Sequence, residues 1–444
     1  MLTKKNEPSV GATKSLRYYS VALLIGVFTA LVGTLFHRIV DYMQQAVPLL
    51  PAQLGLEGWQ AYVFLALLVI AMLCSAVALV RHIVPEASGS GIQEVEGAML
   101  GLRTVRWQRI LPVKFIGGVL ALGAGLVGGR EGPTIHMGAS IAQAVAERFK
   151  VALQDARSLL GAGAAAGLTT AFNAPIASAL FIIEEARDTF PYSRRAYYGV
   201  ILACGASAII TIALMGNRPF MAIQAQATPL SFYPVFMVLG MLLGVLGVGF
   251  NKIILLCLDW SRQVSSRSSP YIWPVVLGAL IGPLLLWLPQ ATGGGETLVE
   301  QIVNNPISLG VLFLLVVIRL VMTATSYAAG TPAGIFAPIL ALATVFSVCF
   351  GKVLALFIYL PPDVLATLAV AGMAGLFAST ISAPMVGVVL IMELTGNYAL
   401  AIPCFLCAIS AALVASALKG RPIYELLLER TLRQAEQPAT IAST

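Results

Sequence analysis

The residues with the strongest claim to chemistry are few, and they stand where the chain is otherwise apolar. Glu131 lies within the stretch GAGLVGGREGPTIHMG (123–138). A carboxylate in such a setting is costly and by default marks an ion or proton path. Three short stretches share a pattern: Gly89-Ser90-Gly91-Ile92-Gln93, Gly129-Arg130-Glu131-Gly132-Pro133 and Gly334-Ile335-Phe336-Ala337-Pro338. Each places small, flexible residues directly ahead of an apolar helical run. Such a segment leaves backbone N–H groups unpaired and aimed at one point, at the end of a helix that carries partial positive charge. The product is an anion site without a fixed full charge. An anion held this way can leave again, whereas a lysine at the same spot could hold it too tightly for transport.

Ser90 offers a hydroxyl donor at the first of these helix starts, and Tyr398, in Asn397-Tyr398, offers a phenol donor from the far end of the chain. A plain helix cap is the simpler reading of Ser90, and an interfacial aromatic the simpler reading of Tyr398. For Glu131 the simpler reading is a salt bridge with adjacent Arg130. The sharper one is competition: an ionised carboxylate gains from the same helix end that would hold an external anion. Protonation would then vacate the place, which makes a proton-linked gate from one residue. Glu184 and Glu185 end another apolar run, where a buried member of the pair could pass protons and an exposed one would simply be solvated. Glu94, Glu96 and Lys114 are further candidates, and Lys114, interrupting ILPVKFIGGVL, is expected to pair with a carboxylate. His136 reads as a packed histidine.

These residues need elements able to hold them at membrane depth. Of 444 residues, 58% are hydrophobic and 11% charged, half the charge of an ordinary soluble domain. That excludes a soluble enzyme, a disordered chain and a fibre, and leaves a polytopic membrane protein. The net charge of +7 fits basic cytoplasmic loops rather than nucleic-acid binding. The basic residues Lys4, Lys5, Lys14 and Arg17, ahead of a first span that is too long for a signal peptide, favour a cytoplasmic N-terminus. Apolar segments recur at about 20–45, 60–84, 108–128, 155–172, 194–215, 231–258, 270–288, 307–329, 334–358, 364–382 and 399–418, and all are expected to be helices. Four pieces, 91–101, 132–148, 175–188 and 385–396, are too short or too broken by Gly and Pro to cross about 30 Å straight. Such pieces are tolerated only inside protein or lining a cavity. Residues 422–435 read as one amphipathic cytoplasmic helix.

The chain also repeats itself. LTTAFNAPIASALFIIEE (168–185) aligns with FASTISAPMVGVVLIMEL (377–394), matching Ala174 with Ala383, Pro175 with Pro384 and Glu184 with Glu393. Duplicated halves with breaks in matching places point to a transport site at the repeat interface. The six cysteines, Cys404 and Cys407 of a C-x-x-C included, read as small core residues, with no disulfide framework and no metal. Gly123-Ala124-Gly125-Leu126-Val127-Gly128 fits a dinucleotide fingerprint but lacks its strand and βαβ context. An intramembrane enzyme built on Glu131 and His136 lacks a nucleophile–base set.

Taken together and in order, GSGIQ (89–93), GREGP (129–133), FNAPIA (172–177), GIFAP (334–338) and ELTGNY (393–398) resemble the CLC chloride channel and transporter family over about 18–420, most closely its bacterial exchangers without CBS domains. The resemblance implies an all-α, inverted-repeat CLC-type fold with broken helices meeting at a midplane anion site. It implies a cytoplasmic segment 1–17, a transport domain 18–420 (repeats roughly 18–215 and 231–420) and a short cytoplasmic tail 421–444. It implies a homodimer, both termini cytoplasmic, in the bacterial inner membrane, with chloride and protons as the transported partners and no cofactor. Ser90 and Tyr398 would coordinate a central chloride with the N–H groups of Ile335 and Phe336. Glu131 would be the external gate, and Glu185 the internal proton-transfer residue, which favours an exchanger over a passive channel of the same fold. Glu96 and Lys114 match positions near the internal proton site. Gln93 replaces the family's usual proline and is expected to loosen that helix start; Ala333 and Gly396 are milder departures.

Overall fold

Backbone in lipid must satisfy its own hydrogen bonds, and this chain does so with helices throughout. The computed structural model describes residues 12–186, 190–217, 221, 228–304 and 307–436. The first half holds α1 (Ala12–Gln53), α2 (Trp59–Ile83), α3 (Ile92–Met99), α4 (Trp107–Gly123), α5 (Glu131–Arg148), α6 (Leu153–Phe172), α7 (Pro175–Glu184) and α8 (Arg194–Met215). The second holds α9 (Tyr233–Arg267), α10 (Ile272–Trp287), α11 (Glu296–Asn304), α12 (Leu309–Tyr327), α13 (Phe336–Leu354), α14 (Pro362–Ile381), α15 (Pro384–Thr395), α16 (Ala401–Ala417) and α17 (Ile423–Glu436). Each of the eleven expected apolar segments is a helix. The four expected interruptions are α3, α5, α7 and α15. Eight helices among the described residues are long and apolar enough to span a bilayer. Residues 1–11 and 437–444, the outer parts of the expected terminal segments, lie outside the described residues.

The internal repeat has a structural counterpart in two matching turns. α6 ends at Asn173 in the left-handed region (φ 52°), Ala174 is extended (φ −123°, ψ 74°), and α7 starts at Pro175. α14 ends at Ser382 (φ 64°), Ala383 follows (φ −121°, ψ 75°), and α15 starts at Pro384. Proline suits the first helical position because its missing N–H would be unpaired there anyway. The helices that follow have 10 and 12 residues, about 15–18 Å at 1.5 Å per residue and so about half a bilayer core.

These two half-helices cap each other. Ile176 and Ala177 N–H donate to the Glu393 carboxylate at 3.0 and 2.7 Å. Met385 and Val386 N–H donate to the Glu184 carboxylate at 3.2 and 2.7 Å. Each acid thus ends one half-helix and neutralises the unpaired donors and positive pole of the other. Glu184 is thereby occupied as a cap.

The C-terminal piece departs from expectation. α17 is amphipathic, but it does not lie wholly outside the helical bundle as a cytoplasmic tail. Ile423 and Tyr424 are fully buried and Leu427 nearly so, on one helical face. The opposite face carries Arg421–Glu425 and Arg421–Glu429 ion pairs, and Arg430 reaches Asp259 on α9 at 2.5 Å. The helix is apolar enough along one stripe for that stripe to pack into the core.

Candidate functional site

Three helix starts converge. Gly129 and Gly334 exchange backbone hydrogen bonds at 2.8 and 2.7 Å. Gly89 N–H donates to Thr331 carbonyl at 3.0 Å, and Ala333 N–H to Gly89 carbonyl at 3.2 Å. The three stretches singled out by sequence are therefore one knot of backbone, from which α3, α5 and α13 run outward. Gly132 sits at its centre. A Cβ there would lie 2.8 Å from the Cα atoms of both Ser90 and Gly334, closer than any side chain permits.

Glu131 is fully buried, and its Oε1 accepts the N–H of Phe336, the first residue of α13, at 2.7 Å. Ala337 N–H stands alongside. Oε2 is buried with no hydrogen-bond partner among the described residues. Arg130 does not bridge to Glu131. Its guanidinium turns away to Asp41 at 2.9 Å and to Glu296, so the adjacent charges serve different neighbours.

Ser90 is fully buried, with Tyr327 hydroxyl 3.3 Å from its Oγ. Tyr398 is elsewhere: it is 80% exposed. Gly396, in the left-handed region (φ 63°), ends α15, and residues 397–400 turn over the surface before α16. Besides Tyr327, a tyrosine that reaches the site is Tyr424 on α17. Its ring lies 5.8 Å from that of Phe336, and its hydroxyl is buried without a partner among the described residues. Glu131, Glu185 and Glu96 all stand within electrostatic range of that hydroxyl. Phe336 also packs edge-on against Phe181 of α7 and Phe377 of α14, at 5.6 and 5.0 Å. The site is thus buried and aromatic-walled, with donors at the starts of α3, α13 and α17. Tyr424 was missed because residues 422–435 were read as a cytoplasmic helix, while the resemblance at ELTGNY (393–398) drew attention to Tyr398. The available signal was the apolar stripe Ile423, Tyr424, Leu427 and Leu428 of an otherwise charged helix.

Lys114 corrects a second expectation. It is fully buried and donates from Nζ to Gly89 carbonyl at 2.7 Å, with no ion pair to a carboxylate among the described residues. It braces the first motif from behind. His136, also fully buried, packs on Gly91 (φ 79°), where a Cβ would fall 2.1 Å from Nδ1. Arg319, overlooked in the apolar run of α12, is fully buried and donates to the carbonyls of Gln290, Thr292, Gly293 and Gly294. It thereby shapes the loop that leads to Glu296 and Arg130.

A cavity of about 590 Å³ is lined by Asp41, Gln44, Arg130 and Glu296, among others. A second, of about 380 Å³, is lined by Gly89, Gln93, Arg103, Tyr327 and Arg430, among others.

A sequence-family profile described as "Voltage gated chloride channel" matches residues 72–416. The chain belongs to this family. Within the family, it is 41% identical over 423 residues to an H(+)/Cl(-) exchange transporter ClcA of Vibrio campbellii, covering 93% of this chain and 89% of the relative. It is 40% identical over 427 residues to the transporter of the same name from Vibrio cholerae, with the same coverage. Among solved structures, a slow cyanobacterial Cl-/H+ antiporter superposes with a TM-score of 0.90 at 35% identity, over 95% of this chain and 99% of that one. The fold is that of the CLC transporters, and the chain is an integral membrane protein.

Proposed function

We propose that this CLC protein exchanges chloride for protons across the membrane. The observation that carries the reading is the Glu131 carboxylate seated on the N-terminus of α13, taking the Phe336 N–H at 2.7 Å. A helix end that holds a carboxylate is equally suited to a halide. Both cannot hold it together, because two anions at one desolvated point repel. When Glu131 takes up a proton it loses its hold on the helix end and an anion takes its place. When the anion leaves, the ionised side chain returns. Proton and anion movements are linked because each state of one site is defined by the other's absence.

In this reading a central chloride is coordinated by Ser90, by the N–H of Ile335 and by Tyr424 in place of Tyr398, and the N–H of Phe336 is open to an anion only when Glu131 has left it. Glu131 is the external gate. Glu185, at the C-terminal end of α7, delivers protons from the inside. The names of the relatives support exchange rather than passive conduction. The protein works as a homodimer in the bacterial inner membrane with both termini cytoplasmic. The deciding experiment reconstitutes purified protein in liposomes and follows chloride and pH together. An outward chloride gradient is expected to drive protons uphill; chloride that dissipates with no proton movement contradicts the reading.

The choice of tyrosine has its own check. Tyr424→Leu removes a hydroxyl donor and one wall of the site, and hydrogen bonds to charged groups contribute about 1.5–3 kcal/mol. Chloride binding measured by calorimetry is expected to weaken by about tenfold or more, while Tyr398→Leu leaves it unchanged. The reverse pattern would restore Tyr398 as the ligand.

A further inference from the structure

The hydrogen of the Ser90 hydroxyl is already committed. It is donated to Gln93 Oε1 at 3.0 Å, while Ser90 Oγ accepts from Ile92 N–H at 3.4 Å. Gln93 is the second residue of α3 and is itself 8% exposed. Its side chain folds back over the start of its own helix and lines the cavity shared with Arg103, Tyr327 and Arg430. The helix start is therefore not loosened by the loss of proline. It is tied by a side-chain bond that proline could not make.

A hydroxyl has one hydrogen. It cannot serve a carboxamide oxygen and an anion at once. We propose that Gln93 is a built-in competitor for Ser90: its amide oxygen holds the hydrogen that an incoming chloride needs, and chloride binds by displacing it. Gln93 is thus an affinity-determining residue for transport, acting through Ser90. The inference rests on the reading that Ser90 faces the transported anion. Its consequence follows from the requirement that a conducted ion be held well enough to arrive and loosely enough to depart. When chloride leaves, the hydroxyl is not stranded in a buried site, because the amide takes it back. The cost of release is lowered, and so is the affinity.

The test is chloride titration calorimetry on purified protein, comparing the natural chain with Gln93→Leu, Gln93→Ala, Ser90→Ala and the double change Ser90→Ala/Gln93→Leu. Gln93→Leu keeps most of the side-chain volume, so the packing around α3 is retained even if Gln93→Ala is disturbed. Removing the amide acceptor from a neutral hydrogen bond is expected to tighten chloride binding by about two- to tenfold. In the Ser90→Ala background the same change is expected to have no effect, because the two residues act as one unit. Ser90→Ala that weakens binding, with Gln93→Leu unchanged or weaker, overturns the competitor role and leaves the site intact; weaker binding would mean that the amide helps to hold the anion. Tightening of equal size with and without Ser90 also overturns it. Ser90→Ala with natural affinity overturns the reading of Ser90 itself.

Discussion

Replacing Glu131 with alanine is expected to leave a protein that passes chloride down its gradient and moves no protons. The expectation follows from one contact. In the natural chain the Phe336 N–H is taken by Glu131 Oε1, so in the proposed exchange an anion must wait for the carboxylate to leave. Alanine abolishes the competitor and the proton carrier in one step. The helix end stays available to anions at all times, and nothing remains that binds a proton when the anion is absent. Proton movement in liposomes should fall to background, a loss of at least tenfold, while chloride flux persists. Glu131→Gln, which keeps the side chain's size without its charge, should lose coupling in the same way. A variant that still drives protons uphill would remove Glu131 from the gate.

The second large effect is expected at Glu185. Glu185→Gln should suppress proton transport to background while chloride flux continues, with the Glu131 gate left as it was. The neighbouring acid provides the control. Glu184 accepts the N–H groups of Met385 and Val386, so it is a cap for α15, and changing it should reduce stability rather than the ratio of protons to chloride. Unchanged coupling in Glu185→Gln, or loss of coupling from Glu184→Gln in a stably folded protein, would reverse the two assignments.

Much of this architecture was legible in the chain before any coordinates. Lipid forces helices, so apolar runs translate directly into α1, α2, α4, α6 and their successors, and the glycines and prolines that break α3, α5, α7 and α15 mark where the backbone must be covered by protein. The three motifs were read as helix starts, and they meet at Gly132 because only glycine allows the approach. What escaped the reading was partnership across long separations. Lys114 was expected on a carboxylate and lies on the carbonyl of Gly89, since a buried ammonium needs any good acceptor, and sequence does not say which backbone oxygen will face it. Arg130 chose Asp41 and Glu296 over its neighbour Glu131, because adjacent residues at a helix start project in different directions. Tyr398 and Tyr424 were separable only by burial. Both follow a helix break, but one turn ends at the surface and the other opens a helix whose apolar stripe pulls it inward. Gln93 looked like a lost proline, and its bond to Ser90 depended on a side-chain rotamer that the sequence does not disclose.

The central claim is that a bare halide and the Glu131 carboxylate hold the same helix end by turns. Bromide-soaked crystals, measured at the bromine absorption edge, test it most directly. In the natural protein an anomalous peak is expected beside Ser90 and the Tyr424 hydroxyl, with Glu131 still on Phe336. In Glu131→Gln crystals a further peak is expected at the N-terminus of α13, where the carboxylate had been. Crystals of both proteins with no bromide at either place would contradict the account.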